Sequence, residues 1–97
     1  MLLLPEALTL VEARDTLRLL TVSLEREAEP QLIVDGGQLR RFDSSALAVL
    51  LECRRLAEAW GKRFELRSMP TKLIELAQLY GMDEVLGLAP DKVAATV

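Results

Sequence analysis

The sequence contains no histidine, so it lacks the side chain that proteins use most often as a general base and a metal ligand. Its single cysteine, Cys53, permits no internal disulfide and cannot build a structural zinc site. Gly36-Gly37 is not followed by the lysine and the spacing of a phosphate-binding loop. We therefore expect a protein without catalytic activity, metal or cofactor.

Long apolar runs and excess positive charge are also missing. The longest apolar run, residues 46–51, is far shorter than the roughly 20 residues that span a bilayer. The net charge of −3 argues against nucleic acid as a partner, because a phosphate binder needs a basic face. Residues 1–6 include no basic residue and their apolar stretch is too short for a signal peptide, so we expect none and a cytoplasmic location.

Aliphatic side chains are what the sequence has in abundance. Hydrophobic residues make up 51% of the 97 residues, although aromatic residues supply only 4%. This length and apolar content predict a single domain over residues 1–97, with a core at about 2–87 and a frayed tail at 88–97.

The first helix is predicted by its start signal and its period. Thr9 and Glu12 have the spacing of a capping box, in which each side chain bonds a free amide at the other residue. Apolar residues then recur at helical spacing, and the helix is expected to end near residues 27–30. The predicted buried stripe consists of Leu10, Ala13, Leu17, Leu20 and Leu24.

Two further helices follow the same reasoning. Asp43-Ser44-Ser45 is expected to open the second helix, and Gly61 fits the left-handed position after its end. Its predicted buried stripe consists of Ala46, Val49, Leu50, Cys53, Leu56, Ala57 and Trp60. The third helix is expected to start at residues 68–70 and to stop at Gly81.

Short apolar segments between these helices predict strands. They are residues 2–4, 31–35 and 62–67, while residues 36–42 are expected to form an irregular connection. Alternation of strands and helices is typical of an α/β domain. We expect a mixed, mostly parallel sheet of three to four strands, covered by the amphipathic helices.

Two motifs in fixed order resemble the core signature of STAS domains. Leu32-Ile33-Val34-Asp35 is similar to the family's hydrophobic strand ending in Asp, and Asp43-Ser44-Ser45-Ala46-Leu47 is similar to its Asp-Ser/Thr-Ser/Gly-Gly-Leu helix start. Gly61-Lys62-Arg63 and residues 76–86 resemble later family motifs, so the resemblance covers about residues 2–87. Ala46 in place of the usual glycine, Gly36-Gly37 in place of a serine-containing turn and the short N-terminus depart from the pattern.

The resemblance implies a small STAS-type protein-binding module with two alternative roles. One is the small STAS subunit of the Mla phospholipid-trafficking ABC transporter, which binds the ATPase subunit and would be peripheral to the inner membrane through it. The other is an anti-sigma-factor antagonist, phosphorylated by its partner kinase on the residue that corresponds to Ser45. Ala46 and the helix at residues 72–80 favour the first role. A small-ligand-sensing STAS module is a third alternative.

The predicted partner site is the start of the second helix: Phe42, Asp43, Ser44, Ser45 and Ala46. A purely structural interpretation competes with it, because Asp and Ser are preferred residues for capping a helix. Phe42 has two interpretations, a staple packed on the first turn or an exposed anchor, and we favour the staple. Ser45 is also the candidate phosphorylation site.

Overall fold

The computed structural model describes residues 2–88. In chain order, the elements are β1 (Leu2–Leu3), β2 (Ala7–Leu8), α1 (Leu10–Arg26), β3 (Gln31–Asp35), β4 (Arg41–Phe42), α2 (Ser44–Ala59), β5 (Arg63–Arg67) and α3 (Thr71–Leu79). Nearly all of the tail predicted at residues 88–97 lies outside the described residues.

The main sheet contains three parallel strands in the order β1-β3-β5. Leu2 pairs with Val34 on one side of β3, and Val34 pairs with Leu66 on the other. This confirms the α/β class and the parallel sheet that the alternation of elements predicts. β3 supplies Leu32 and Val34 to the core, because alternate residues of a strand lie on the same face.

A second, two-stranded parallel sheet joins β2 to β4 and was not predicted. β4 lies within residues 36–42, which were expected to form an irregular connection, and β2 lies just before α1. The backbone N–H groups of Arg40 and Arg41 both donate to the Glu6 carbonyl, at 2.7 and 3.0 Å. Two-residue strands are too short to show the alternation of apolar and polar residues that identifies a strand in sequence.

The core forms where the helices cover the sheet. α1 packs against α2 and β2, and α2 also packs against β5. The buried apolar residues are Leu4, Leu8, Leu20, Leu24, Leu32, Val34, Leu39, Ala46, Leu47, Val49, Leu50, Cys53, Ala57, Leu73, Ala77 and Leu86. Burial raises the pKa of the Cys53 thiol to about 12, so this side chain stays protonated and packs as a small apolar group.

The predicted helix ends are mostly confirmed. Thr9 and Glu12 form the complete capping box, with the Thr9 backbone N–H donating to Glu12 Oε1 at 2.8 Å. Gly61 and Gly81 follow α2 and α3 with φ of +71° and +69°, in the left-handed region that favours glycine. Pro70 caps α3 instead of lying in its first turn, because the helix begins one residue later than expected.

Two members of the predicted buried stripes are exposed. Leu10 is 76% exposed at the first position of α1, and Trp60 is 42% exposed just after the end of α2. Helical period identifies which face of a helix is apolar, but it does not show how far the covering structure extends along that face. Both errors fall at helix ends for this reason.

Candidate functional site

The starts of α1 and α2 lie side by side and are joined by one carboxylate. Asp43 is the N-cap of α2, and its Oδ1 accepts a hydrogen bond from the Ser45 backbone N–H at 2.8 Å. Its Oδ2 accepts from the backbone N–H of Leu10, the first residue of α1, at 3.1 Å. The capping interpretation of Asp43 is therefore confirmed, and the same side chain also connects the two helices.

These hydrogen bonds hold Asp43 in its charged form. The pKa of its carboxyl lies below the ordinary value of 3.8, first because the Ser45 backbone N–H donates to it and then because that of Leu10 does. Both donors are amides at a helix start, where the aligned peptide dipoles favour negative charge. The carboxylate is consequently ionised at neutral pH.

A second carboxylate, that of Glu12, is held in the same way at the start of α1. Its pKa is lowered by hydrogen bonds from the Thr9 hydroxyl and the Thr9 backbone N–H, and the positive charge of Arg41 adds a smaller effect. The Thr9 hydroxyl donates to Glu12 Oε1 at 2.6 Å. Both of these carboxylates are thus engaged with donors at the helix starts.

The predicted site residues form one contiguous segment, but they differ in accessibility. Ser44 is exposed, Ser45 is half-buried, and Ala46 is fully buried at 0% exposure. Phe42 is half-buried and packs against the core, and its packing as a staple on the first turn of α2 stays a prediction. Their roles in partner binding and phosphorylation stay predictions. Of the set, Ser44 and Ser45 offer hydroxyls that a partner can reach.

An open groove of about 260 Å³ runs between α1 and α2 next to Ser45. We call it the α1–α2 groove. Its lining residues are Leu10, Ala13, Arg14 and Leu17 from α1, with Ser45, Ala48 and Val49 from α2. Only Ser45 among them belongs to the predicted site. The others are brought to it by the packing of α1 on α2, which no local sequence signal reveals.

Two large apolar side chains at the edge of this groove are exposed to solvent. Leu10 is 76% exposed and Val11 is 85% exposed, at the first two positions of α1. The exposed Arg14 lies one turn further along the helix. An apolar centre surrounded by polar groups is typical of a surface that binds another protein.

The parallel sheet β1-β3-β5 and the Asp-Ser-Ser start of the helix after β4 define a small STAS-type domain. Residues 2–89 match the family model described as "Mlab, STAS domain", and the chain belongs to this STAS family, in its MlaB type. No curated protein matches the chain at a significant level. None of the helices within residues 2–88 is long and apolar enough to cross a membrane.

Proposed function

We propose that this protein is the non-catalytic STAS subunit of an ABC phospholipid transporter. In this role it binds the ATPase subunit, regulates or stabilises it, and thereby contributes to the lipid asymmetry of the outer membrane. The observation that carries the proposal is the match of residues 2–89 to the Mlab STAS family. The complex would hold the protein at the cytoplasmic side of the inner membrane through its partner.

The surface at the start of α1 and α2 supports a protein-binding role. Leu10 and Val11 expose aliphatic side chains there, and Ser44 adds an exposed hydroxyl at the start of α2. Exposed aliphatic groups release water when a partner covers them, which favours association. The backbone beneath them is fixed by the Asp43 carboxylate, so little ordering is needed on binding.

The small-ligand alternative has weaker support from the same surface. Sites for small molecules usually enclose about 300–1,000 Å³ and carry several convergent polar groups. The α1–α2 groove is smaller, at about 260 Å³, and is open to solvent. Its size and shape fit a side chain of a protein partner better than a whole ligand.

Co-purification tests the proposal. The tagged protein, expressed from its own locus, should recover an ABC ATPase from detergent-solubilised membranes, and the purified pair should differ in ATPase rate from the ATPase alone. A Ser44→Glu, Ser45→Glu double variant should recover much less. Ala59→Glu is the control, because it adds an acid at the exposed far end of the same helix. Failure of the wild-type protein to bind the ATPase would overturn the proposal.

A further inference from the structure

We infer that the α1–α2 groove recognises a helical segment of the ATPase that carries an aliphatic side chain and a neighbouring acidic side chain. The aliphatic side chain enters the groove, and the carboxylate meets Arg14. This inference rests on the proposed function and adds the chemistry by which the partner is recognised. It also places the recognising residues largely on α1, outside the segment that the sequence predicts.

The shape of the groove favours one anchoring side chain. Leu10, Leu17 and Val49 give it aliphatic walls, and Ala48 leaves it open to solvent. A groove of about 260 Å³ between two helices has room for one leucine-sized side chain and for part of the partner segment that carries it. Amphipathic helices bind such grooves by inserting apolar residues at helical spacing. Anchors of this kind carry most of the energy of an interface.

The charge around the groove favours an acidic neighbour. Within residues 2–88, no carboxylate lies at ion-pair distance from the Arg14 guanidinium. The carboxylates that cap the two helix starts are already engaged, since Glu12 accepts from Thr9 and Asp43 accepts from two backbone amides.

The exposed Arg41 also lies near the two helix starts, where the carboxylates of Asp43 and Glu12 already offset the positive ends of the helix dipoles. Because the molecule as a whole carries a net charge of −3, attraction of an acidic group to this surface rests on Arg14 itself, whose guanidinium has no ion-pair partner within residues 2–88. An aspartate or glutamate of the partner therefore complements the surface, and Arg14 can bind its carboxylate through two parallel hydrogen bonds.

A charge reversal at Arg14 tests this inference. Arg14→Glu should weaken binding of the purified ATPase about tenfold or more and reduce its dependence on salt concentration. Arg18→Glu is the matched control, since Arg18 is exposed one turn further along α1 and does not line the groove. It should change the affinity less than about twofold. Circular dichroism melting confirms that both variants are folded. Equal effects of the two variants would overturn the inference.

Cross-linking identifies the partner segment directly. A benzophenone amino acid at Ala48, in the groove, should cross-link an ATPase peptide with an aliphatic residue within one helical turn of an acid. The same group at the exposed Leu19, outside the groove, should not. Replacing that acid by arginine should restore binding to Arg14→Glu. A peptide without an acid, or no restoration, would contradict the inference.

The outcomes of these experiments distinguish failure of the inference from failure of the proposed function. Binding of the ATPase without a cross-link at Ala48 would overturn the groove as the recognition site and leave the proposed function intact. No binding of the ATPase by the wild-type protein would remove both. Binding to vesicles of anionic phospholipid that is lost in Arg14→Glu would overturn the inference, because it would assign this surface to lipid instead of protein.

Discussion

The Asp43 carboxylate stabilises two helix starts that lie far apart in the sequence. One oxygen satisfies a free amide of α2, and the other satisfies the first amide of α1. A substitution here therefore affects both the stability of α2 and the position of α1 beside it. Because the α1–α2 groove lies between these helices, this side chain helps to hold the end of the groove next to Ser45.

Asp43→Asn separates the two effects. The asparagine carbonyl can still cap α2, since Asn is as good an N-cap as Asp. Its amide nitrogen cannot accept from the Leu10 backbone N–H, so that hydrogen bond should be lost. We expect the Leu10 amide to exchange faster with solvent in Asp43→Asn, and the Ser45 amide to remain protected. Asp43→Ala should expose both amides. Equal protection of Leu10 in Asp43→Asn and the wild type would contradict the role of the second oxygen.

The same side chain should give a specific pH dependence of stability. The pKa of Asp43 in the folded protein lies below its ordinary value of 3.8. The ionised carboxylate therefore stabilises the folded state relative to the unfolded state. This contribution is fully present above the ordinary pKa and is lost as the pH falls through the lowered one. Urea unfolding of the wild type and Asp43→Asn at several pH values measures it. The difference in the free energy of unfolding between the two proteins should become smaller at acidic pH.

At the scale of whole elements, the buried stripe of α2 is the feature that fixes this helix on the sheet. Leu50 and Leu51 are neighbours in sequence with opposite environments, at 0% and 37% exposure. Leu50→Ala should lower the free energy of unfolding by about 2–5 kcal/mol, through lost burial and the cavity left behind. Leu51→Ala is the matched control, with a cost below about 1 kcal/mol. Chemical denaturation checks both, and equal costs would show that α2 is rotated on the sheet.

Each element that was predicted correctly is marked by a sequence pattern that spans only a few residues. Thr9 and Glu12 mark the start of α1 through their own hydrogen bonds, and Gly61 marks the end of α2 through its positive φ. The pairing of β2 with β4 has no such signal, since it brings Ala7 next to Arg41 by the folding of the whole chain. Local patterns therefore predict the helices and the main sheet, and they miss the small sheet.

The candidate site shows the same limit. Asp43 and Ser45 are found from sequence because they begin a helix in a recognisable motif. Leu10 and Arg14 join them only because α1 packs against α2, and Leu10 was assigned to the buried stripe. Its exposure depends on where α2 begins beside it, which is a property of tertiary packing. Of the residues that line the groove, only Ser45 belongs to the site that the sequence predicts.

At the scale of the whole molecule, the acidic chain carries Arg14 in the α1–α2 groove, close to the starts of two helices. The net charge of −3 is spread over a surface with several internal ion pairs, such as Arg54 with Glu58 on α2. Exposed pairs of this kind contribute little stability. Unlike Arg54, Arg14 has no carboxylate at ion-pair distance within residues 2–88, so its charge is available to a partner. An added negative charge at Ser45 should thus act on partner binding more than on folding.

This distinction decides between the two STAS roles. Ser45→Ala should leave function largely intact, because Asp43 and not Ser45 is the N-cap of α2. Ser45→Glu should abolish it, since the new carboxylate lies at the groove and competes with the partner's acid for Arg14. A phosphoryl group, with about −1.5 to −2 charges, would act in the same direction.

Ala59→Glu, at the far end of α2, should behave as the wild type. The measurement is complementation of outer-membrane barrier function in a strain that lacks the gene, with mass spectrometry of the protein from growing cells. Stoichiometric phosphate on Ser45, together with an inactive Ser45→Ala variant, would assign the protein to the anti-sigma-factor antagonists instead.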